Sequence, residues 1–534
     1  MIAARETRQN RALTAGPGAG KTEMLAQRAD FLLRTGVCRY PRRILAISFK
    51  VDASRNLKDR VRRRCGFELA ARLDSHTFHA FAKRLIDRFR PVLKGQDELL
   101  PGYTIGEVRY QGTQITFQDL IPLALEILEH SEVARNAVQQ TYSHVFLDEF
   151  QDCTNEQYQL VRAAFLGTRT QLTAVGDTKQ RIMGWAGALE GIFEIFAQDF
   201  KAVGLNLYQN FRSLPRLRRT QNAMVKVMDP AAAVPDEELV GEGGTVEILE
   251  FRNSEEEAEA LAGQIDDWIA RDGIRPSEIA ILVSKQADLY AASLMKELSD
   301  RKIAFRDEQK LQDLSVEPAA RLIVDFLAVV IGEREPDAFG RLMDMLLATG
   351  LDENETDEMR SRWYRFFNDS RDRVRKGTVD ASDVADLRVI AGEFLQLVGR
   401  SALVALAAEY EHGKRLEEVI DQTYERLAEL LNNSGDPGAA LSMLSQDSAV
   451  RIMTIHKSKS LEFENVVIFG VENETFWGKV DDERSAFFVG ISRAKRYLGL
   501  TVVGHRDRPV GYTGRWNEKR SAQQEFLSYA SETS

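Results

Sequence analysis

The spacing of apolar residues predicts a parallel α/β sheet in the first 210 residues. Four short apolar runs are its predicted strands, and segments with helical spacing follow the first two of them. Continuous apolar strands that alternate with helices are typical of a sheet covered on both faces. The predicted strands are Arg11–Ala15, Ile44–Phe49, His144–Glu149 and Gln171–Asp177, and the helices are Glu23–Leu33 and Asp52–Arg64.

The same pattern returns further along the chain and predicts a second α/β sheet. Its strands are Val246–Phe251, Ile279–Ser284, Arg451–Ile455, Asn465–Gly470 and Leu498–Val503, with a helix at Ser254–Ala270. Between the second and third of these strands, the stretch from roughly Glu317 to Ser445 shows only helical periodicity. The fold class is therefore α/β, with two sheet domains at 1–85 plus 141–208 and at 209–316 plus 446–534. Mainly helical insertions are expected at 86–140 and 317–445.

Length and composition limit the class of protein. The chain has 534 residues, of which 44% are hydrophobic, enough for several cores. No run approaches the roughly 18 apolar residues of a membrane span, and the N-terminus has no apolar signal core. Three cysteines stand far apart, which argues against a disulfide framework or a metal cluster. We therefore expect a cytoplasmic protein with no membrane partner.

The net charge of −10 weighs mildly against a nucleic-acid partner. Local charge is uneven, because six of the ten residues from Arg55 to Arg64 are Lys or Arg. This basic helix is either a solvated surface or a phosphate-binding face.

A glycine-rich loop lies between the first predicted strand and the first predicted helix. A phosphate-binding loop occupies this position between a strand and a helix, because the backbone amides at the helix N-terminus converge on the phosphate oxygens. A lysine supplies a cation and a threonine hydroxyl can bind Mg²⁺. The residues are Gly16, Pro17, Gly18, Ala19, Gly20, Lys21 and Thr22.

Two adjacent carboxylates follow the third predicted strand. Asp148 is suited to hold Mg²⁺, and Glu149 to orient and deprotonate an attacking water. Paired acids after a strand are often only a polar loop, but a phosphate loop upstream favours the catalytic interpretation. The two elements together predict a nucleoside triphosphatase.

Seven strings, one of which contains the two carboxylates, specify the kind of triphosphatase. In chain order they are SFK at Ser48–Lys50, HTFHAF at His76–Phe81, DEFQD at Asp148–Asp152, VGDTKQRIMGWAGA at Val175–Ala188, QNFRS at Gln209–Ser213, TIHKSKSLEF at Thr454–Phe463 and VGISRAK at Val489–Lys495. The series closely resembles the motifs of superfamily 1A DNA helicases of the UvrD/Rep/PcrA type. That resemblance implies two RecA-like domains with an ATP cleft between them.

The resemblance also implies roles for residues of the cleft. Gln180 would sense the γ-phosphate, and Arg212 and Arg493 would act as arginine fingers. Phe211, where the family usually has Tyr, would stack on adenine, and Glu462 would bind the ribose. Lys21, Glu149, Gln180, Arg212 and Arg493 are thus the expected catalytic residues, with ATP and Mg²⁺ as cofactors. Only fourteen residues precede Ala15, and we find no convincing adenine-recognition glutamine among them.

On the DNA side, five residues correspond to family positions that stack on bases or contact the backbone. They are Phe49, Lys50, His79, Trp185 and His456. For Phe49 taken alone, core packing is the simpler interpretation. Three departures from the family pattern, Met183, Ala186 and Ser460, lie on this DNA-contacting or coupling side.

The leading prediction is an ATP-dependent helicase that moves 3′ to 5′ on single-stranded DNA or on DNA with single-stranded tails. An alternative is a DNA-dependent ATPase that regulates a nuclease and unwinds little by itself. Gabija-type anti-phage systems, in which a UvrD-like protein works beside an OLD-family nuclease, are one setting for it. A third hypothesis is an unrelated P-loop triphosphatase that does not bind nucleic acid.

Overall fold

The structure is a computed structural model. It describes residues 9–49, 51–106, 108–182, 187–207, 209–307, 314, 317–332, 335–346, 353–404, 410, 415–444, 449–459, 461–509 and 511–531. The predicted DNA-side residues Lys50 and Trp185 lie outside the described residues, as do Met183, Ala186 and Ser460.

The strands within the described residues are β1 (Arg11–Ala15), β2 (Arg43–Ser48), β3 (Leu73–Thr77), β4 (Leu99–Gly106), β5 (Gly112–Thr116), β6 (Tyr142–Leu147), β7 (Gln171–Gly176), β8 (Val203–Leu207), β9 (Thr245–Asn253), β10 (Ile279–Val283), β11 (Phe305–Asp307), β12 (Val450–Thr454), β13 (Phe463–Phe469) and β14 (Ala494–His505).

The helices within the described residues are α1 (Lys21–Arg34), α2 (Val51–Ala70), α3 (Phe78–Phe89), α4 (Leu120–His130), α5 (Glu132–Thr141), α6 (Asn155–Phe165), α7 (Ile192–Phe200), α8 (Pro215–Met228), α9 (Ser254–Ala270), α10 (Ala287–Tyr290), α11 (Ala292–Asp300), α12 (Pro318–Ile331), α13 (Pro336–Leu346), α14 (Glu353–Arg375), α15 (Val384–Val398), α16 (Arg400–Val404), α17 (Arg415–Ser434), α18 (Pro437–Leu444), α19 (Ile455–Ser458), α20 (Val480–Ile491) and α21 (Gln524–Ser531). Short 3₁₀ turns at Phe150–Asp152 and Thr178–Gln180 follow β6 and β7.

The first sheet has six strands in the order β3-β2-β6-β7-β1-β8. Its strand pairings are parallel, with Ile44 opposite Leu73 and Leu45 opposite Val145. Because the strands are parallel, their carboxyl ends meet at one edge, where ligands bind in open α/β sheets. The chain crosses that edge at the loops after β1, β2, β3, β6 and β7.

Alternate residues of this sheet belong to two separate cores. Leu45 and Ile47 contribute to one hydrophobic cluster, which contains α3, α4 and α6 side chains. Ile44, Ala46 and neighbouring strand residues contribute to the other, which contains α1 and α2 side chains. The period of two along each strand thus buries both faces. Burial of both faces explains why the strand sequences are apolar almost throughout, the pattern from which a doubly covered sheet is predicted.

Strands β9 to β14 belong to a second six-stranded sheet. Within it β10 and β11 each pair in parallel with β12, and β13 pairs in parallel with β14. The predicted α/β class with parallel sheets is confirmed. The segment predicted as the first insertion carries the two-stranded β4–β5 pair in addition to α4 and α5.

The chain divides into two compact units. One comprises residues 1–249, 458–502 and 521–534, and the other residues 250–457 and 503–520. The domain boundaries inferred from the sequence remain predictions. In the second unit, helices α12 to α18 enclose an apolar core in which the Phe326 and Phe394 rings stack at 4.4 Å. None of the described helices is both long and apolar enough to span a bilayer, and all three cysteines are buried and free.

Candidate active site

The glycine-rich loop connects β1 to α1 at the carboxyl edge of the first sheet. The loop is anchored to the edge strand, since the Gly16 amide donates to the Leu207 carbonyl over 3.2 Å. Gly20 has left-handed backbone angles and directly precedes the first residue of α1, Lys21. The unpaired amides of the first helical turn therefore face the loop, which is the arrangement that binds phosphate.

Gly18 lies against the QNFRS segment. Its φ is +67°, and a Cβ built on it would lie 2.2 Å from Asn210 Oδ1 and 2.7 Å from Arg212 Cβ. The Phe211 amide donates to the Gly18 carbonyl over 2.9 Å. Only glycine satisfies both the backbone angle and the close approach. The loop and the segment that carries Phe211 and Arg212 are thus in direct contact.

Two carboxylates follow β6, as the sequence predicts. Asp148 is 4% exposed, and its Oδ1 accepts the Glu149 amide over 3.0 Å. Glu149 has φ +51°, an unusual angle for a residue with a side chain. Such backbone strain costs on the order of 1–3 kcal/mol and clusters at functional sites.

Charge is divided unequally between these two acids. Burial and the Glu149 carboxylate raise the pKa of Asp148, although Lys21 opposes the shift. Burial acts to raise the pKa of Glu149 as well, but Lys21 and Lys459 outweigh it and lower that pKa. Glu149 is therefore the acid that stays ionised, as a general base must.

A chain of hydrogen bonds connects Glu149 to Gln180. Gln151 Nε2 donates to Glu149 Oε2 over 2.8 Å, and Gln151 Oε1 accepts the Asp177 amide over 3.0 Å. Gln180 Nε2 then donates to Asp177 Oδ2 over 2.7 Å. Gln151, Asp177 and Gln180 are all nearly inaccessible to solvent. Buried polar groups with every partner in place hold one geometry.

Arg493 continues this chain. One of its terminal nitrogens donates to Gln180 Oε1 over 2.7 Å, and its Nε donates to the Val489 carbonyl over 2.9 Å. Burial and the neighbouring Arg212 cation lower the pKa of Arg493 to about 9. The guanidinium therefore keeps its charge at neutral pH. The predicted finger Arg493 and the predicted sensor Gln180 are hydrogen-bonded to each other.

Arg212 is bonded to Glu462 in this structure. Arg212 Nε donates to Glu462 Oε2 over 2.8 Å, and a terminal nitrogen donates to the Ser492 carbonyl over 2.9 Å. Burial opposes ionisation of Glu462, but Arg212 and Lys495 outweigh it and lower the pKa of Glu462. The expected second finger and the expected ribose ligand are thus an ion pair.

A buried ion pair joins the DEFQD segment to Lys459. The Lys459 ammonium donates to Asp152 Oδ2 over 2.5 Å and to the Gln180 carbonyl over 2.6 Å. The two side chains are 3% and 1% exposed. Sequence reasoning assigned no role to Lys459, Asp152 or Gln151. The signal available was their position inside the DEFQD and HKSKSLEF strings, two or three residues from assigned acids.

Asp148, Glu149, Gln180, Arg212, Glu462 and Arg493 line one open cleft of 870 Å³ within the first unit. Its lining includes Pro17 to Thr22 and further residues that we describe as two groups. The first group, which we call the buried lining, is the buried Asp148, Gln180 and Arg493 with the half-buried Glu149. The second group, which we call the exposed lining, is the exposed Asn56 and Phe211 with the half-buried Glu23, Gln27 and Arg60. Phe211 is 70% exposed, so its ring is available to a planar ligand.

The basic helix contributes to this cleft. Arg60 of α2 lines it and forms an ion pair with Glu23 Oε2 at 3.1 Å, and Arg64 also binds Glu23. Two of its cations are therefore held by the helix of the phosphate loop. The sequence alone predicts either a solvated surface or a phosphate-binding face for this helix and gives no sign that it contributes to the cleft.

The cleft offers oxygen ligands suited to Mg²⁺. The Thr22 hydroxyl and the Asp148 carboxylate both line it, and Mg²⁺ commonly uses one or two such groups together with substrate phosphates and water. Among the described residues, no group of three or more His, Cys, Asp or Glu side chains forms a separate metal site. A cation beside Asp148 would also relieve the burial of its charge.

Two of the predicted DNA-side residues lie at one edge of the first sheet. Phe49 follows the end of β2, and His79 lies in the first turn of α3, after β3. Ser48 and Thr77 are opposite each other in the register of these strands. Both side chains are half-buried, and the His79 ring stacks on Phe117 at 4.1 Å. His456, also half-buried, belongs to α19 of the second unit.

Comparison with known proteins identifies the family. Residues 1–105 and 107–201 match the model of the UvrD/REP helicase N-terminal domain. Residues 205–362 and 399–504 match that of the UvrD-like helicase C-terminal domain.

Individual relatives span most of the chain at low identity. The chain is 23% identical to the DNA helicase II of Haemophilus influenzae over 445 residues, which cover 73% of this chain and 59% of that relative. It is 23% identical to the ATP-dependent DNA helicase Rep of Escherichia coli, over 92% of this chain and 88% of the relative. It is also 23% identical to the ATP-dependent DNA helicase PcrA of Staphylococcus epidermidis, with coverages of 92% and 80%. With its cleft and both matching domains, the chain belongs to the UvrD/Rep family of helicases.

Proposed function

We propose that the protein is an ATP-driven DNA helicase that travels 3′ to 5′ along single-stranded DNA. One observation carries the proposal beyond family membership. A continuous set of hydrogen bonds runs from Glu149 through Gln151, Asp177 and Gln180 to Arg493. A group that activates water and a group that stabilises phosphoryl charge are thereby held in one network.

Hydrolysis would use the residues around the phosphate loop. Loop amides and Lys21 bind the phosphates, and the ionised Glu149 orients a water and accepts its proton. Mg²⁺ held by Thr22 and Asp148 would neutralise charge on the phosphate oxygens. Arg493 and Arg212 stabilise the charge that develops on the γ-phosphoryl group, and this requires Arg212 to leave Glu462.

Coupling to DNA would run through Gln180. Its side chain is bonded to both Asp177 and Arg493, and its carbonyl accepts from Lys459. Loss or gain of a γ-phosphate beside Gln180 would therefore change the hydrogen bonds that Gln180 makes with Asp177, Arg493 and Lys459. The half-buried rings of Phe49 and His79, at one edge of the sheet, are proposed to stack on bases, which grips a strand without reading its sequence.

Strand displacement tests this proposal. The substrates are fluorescently labelled duplexes with a 3′ tail, with a 5′ tail or with no tail, and the matched control is Glu149→Gln. We expect ATP-dependent displacement from the 3′-tailed duplex only, and none by the variant. Displacement from the 5′-tailed duplex alone would overturn the direction. Absence of displacement with normal DNA-stimulated ATP turnover would favour the alternative of an ATPase that regulates a nuclease.

That alternative, in phage defence or elsewhere, stays a prediction. Its sequence support includes Met183, Ala186 and Ser460, which lie outside the described residues. The nuclease partner and the cytoplasmic location likewise stay predictions.

A further inference from the structure

The exposed lining of the cleft contains two amide side chains with no assigned role. Gln27 lies on α1, two turns after the phosphate loop, and Asn56 lies on α2. Both line the cleft together with Phe211. An amide offers one acceptor and one donor group, and which of them meets a ligand depends on how the amide is oriented.

Charged neighbours fix the orientation of both amides. Gln27 Nε2 donates to Glu23 Oε1 over 3.2 Å, and an ionised carboxylate can only accept, so Gln27 Oε1 is left as an acceptor. Asn56 Oδ1 accepts from Arg60 Nε over 2.7 Å, and a guanidinium can only donate, so the Asn56 NH₂ is left as a donor. Rotating either amide would set donor against donor or acceptor against acceptor.

The two charged neighbours are themselves held together. Arg60 pairs with Glu23 at 3.1 Å, and Arg64 also binds that carboxylate. Their side chains are 31–38% exposed, so these ion pairs add little to stability. Their main physical effect is to hold the Glu23 carboxylate in place, which fixes where Gln27 and Asn56 direct their hydrogen-bonding groups.

An acceptor and a donor on the lining of the same cleft match adenine. Its 6-amino group donates, and the neighbouring ring nitrogens accept, which is the pairing that Asn and Gln make with adenine elsewhere. Guanine presents an acceptor oxygen at position 6, which would face the Gln27 oxygen. We propose that Gln27 and Asn56 select adenine over guanine, with Glu23 and Arg60 as positioning residues. The inference rests on the proposed function, since it requires that the cleft bind a nucleotide.

Nucleotide affinities test the assignment without turnover. Dissociation constants for ADP, GDP and purine riboside diphosphate, which lacks the 6-amino group, are measured with Mg²⁺ by titration calorimetry. The wild type should bind ADP about tenfold more tightly than either of the others, because each mismatch leaves a polar group unpaired. Gln27→Ala should bind ADP and purine riboside diphosphate equally well.

Three variants separate recognition from a general loss of binding. Asn56→Ala should reduce the preference for ADP over GDP. Glu23→Gln should reduce it as well, because a glutamine at position 23 can donate a hydrogen bond to the Gln27 oxygen and thereby allows the Gln27 amide to turn over. The matched control is Gln140→Ala, which removes an exposed amide on α5 that does not line the cleft. It should leave the ratio unchanged.

The outcomes distinguish this inference from the proposed function. Equal affinity of the wild type for ADP and GDP, with normal DNA-stimulated ATP turnover, would overturn the inference alone. An unchanged ratio in both Gln27→Ala and Asn56→Ala would do the same. If the wild type binds no nucleotide, the proposed function is wrong as well.

Discussion

The two linings of the cleft differ in how their charges are held. In the buried lining, Gln180 and Arg493 are each 2% exposed and Asp148 is 4% exposed, and most of their hydrogen-bond partners are buried as well. In the exposed lining, Phe211 is 70% exposed and Glu23 and Arg60 keep about a third of their surface. Electrostatic interactions are strong in the first environment and screened in the second. The buried lining therefore suits chemistry, and the exposed lining suits recognition of a ligand that enters and leaves.

The largest effect is expected in the buried lining. Arg493→Ala should lower ATP turnover about 1,000-fold, because an arginine finger stabilises charge that develops on the transferred phosphoryl group. Arg493→Lys should recover little, since an ammonium lacks the planar set of donors that reaches both Gln180 and the Val489 carbonyl. Steady-state turnover at saturating ATP measures both. Turnover of Arg493→Ala within threefold of the wild type would contradict the assignment.

Loss of the buried ion pair should affect stability. Lys459→Ala leaves the Asp152 carboxylate buried without its ammonium partner, which costs about 3–5 kcal/mol. The double variant Lys459→Met with Asp152→Leu removes both charges and should recover most of that loss. Urea unfolding of the single and double variants measures the difference. Equal stability of Lys459→Ala and the wild type would show that the pair is weaker than its geometry indicates.

A smaller effect is expected in the exposed lining. Phe211→Ala should weaken ADP binding about tenfold, since stacking on an aromatic ring contributes roughly 1–3 kcal/mol by alanine substitution. Phe211→Tyr, which keeps the ring, should bind as the wild type does. Titration with ADP measures both variants. If Phe211→Ala lowered turnover at saturating ATP by a larger factor than it weakened ADP binding, Phe211 would contribute to the chemical step. That result would contradict the assignment of the exposed lining to ligand recognition.

The smallest effect concerns a buried group that the cleft does not use. His144 is 4% exposed at the amino end of β6, and burial, with the Arg28 and Arg42 cations, lowers its pKa to about 4. The unfolded chain binds the proton near pH 6.5, whereas the folded chain does not, so acidification between these values favours unfolding. From pH 6.5 to 5.5 the wild type should lose about 1 kcal/mol more than His144→Gln. Urea unfolding at both pH values measures this, and parallel losses would contradict it.

The hydrophobic pattern predicted the central strands of the first sheet but missed two strands at its edges. Central strands such as β2 and β6 are buried on both faces and read as apolar runs. The edge strands β3 and β8 carry Asp74, Ser75, His76 and Asn206 and are partly exposed, so their sequences lack that signal. Backbone pairing with a neighbouring strand, rather than side-chain burial, defines them.

The motif series predicted which residues would line the cleft, but the partners of those residues depend on distant segments. Lys459 lies 307 positions from Asp152, and Arg493 lies 313 positions from Gln180. Spacing along the chain gives no measure of such contacts. The pairing of Glu23 with Arg60 was also hidden, because it depends on α1 and α2 lying side by side. Through that pairing, part of the basic helix forms a wall of the cleft, which neither of the two interpretations from the sequence included.

The central claim is that this cleft hydrolyses ATP and that single-stranded DNA controls the rate. The most direct test is steady-state ATP turnover of the wild type and of Glu149→Gln, each with and without a single-stranded oligonucleotide. We expect wild-type turnover to rise at least about tenfold with DNA, and the variant, which lacks the general base, to show no turnover in either condition. Wild-type turnover that is the same with and without DNA, or turnover that survives Glu149→Gln, would contradict the account.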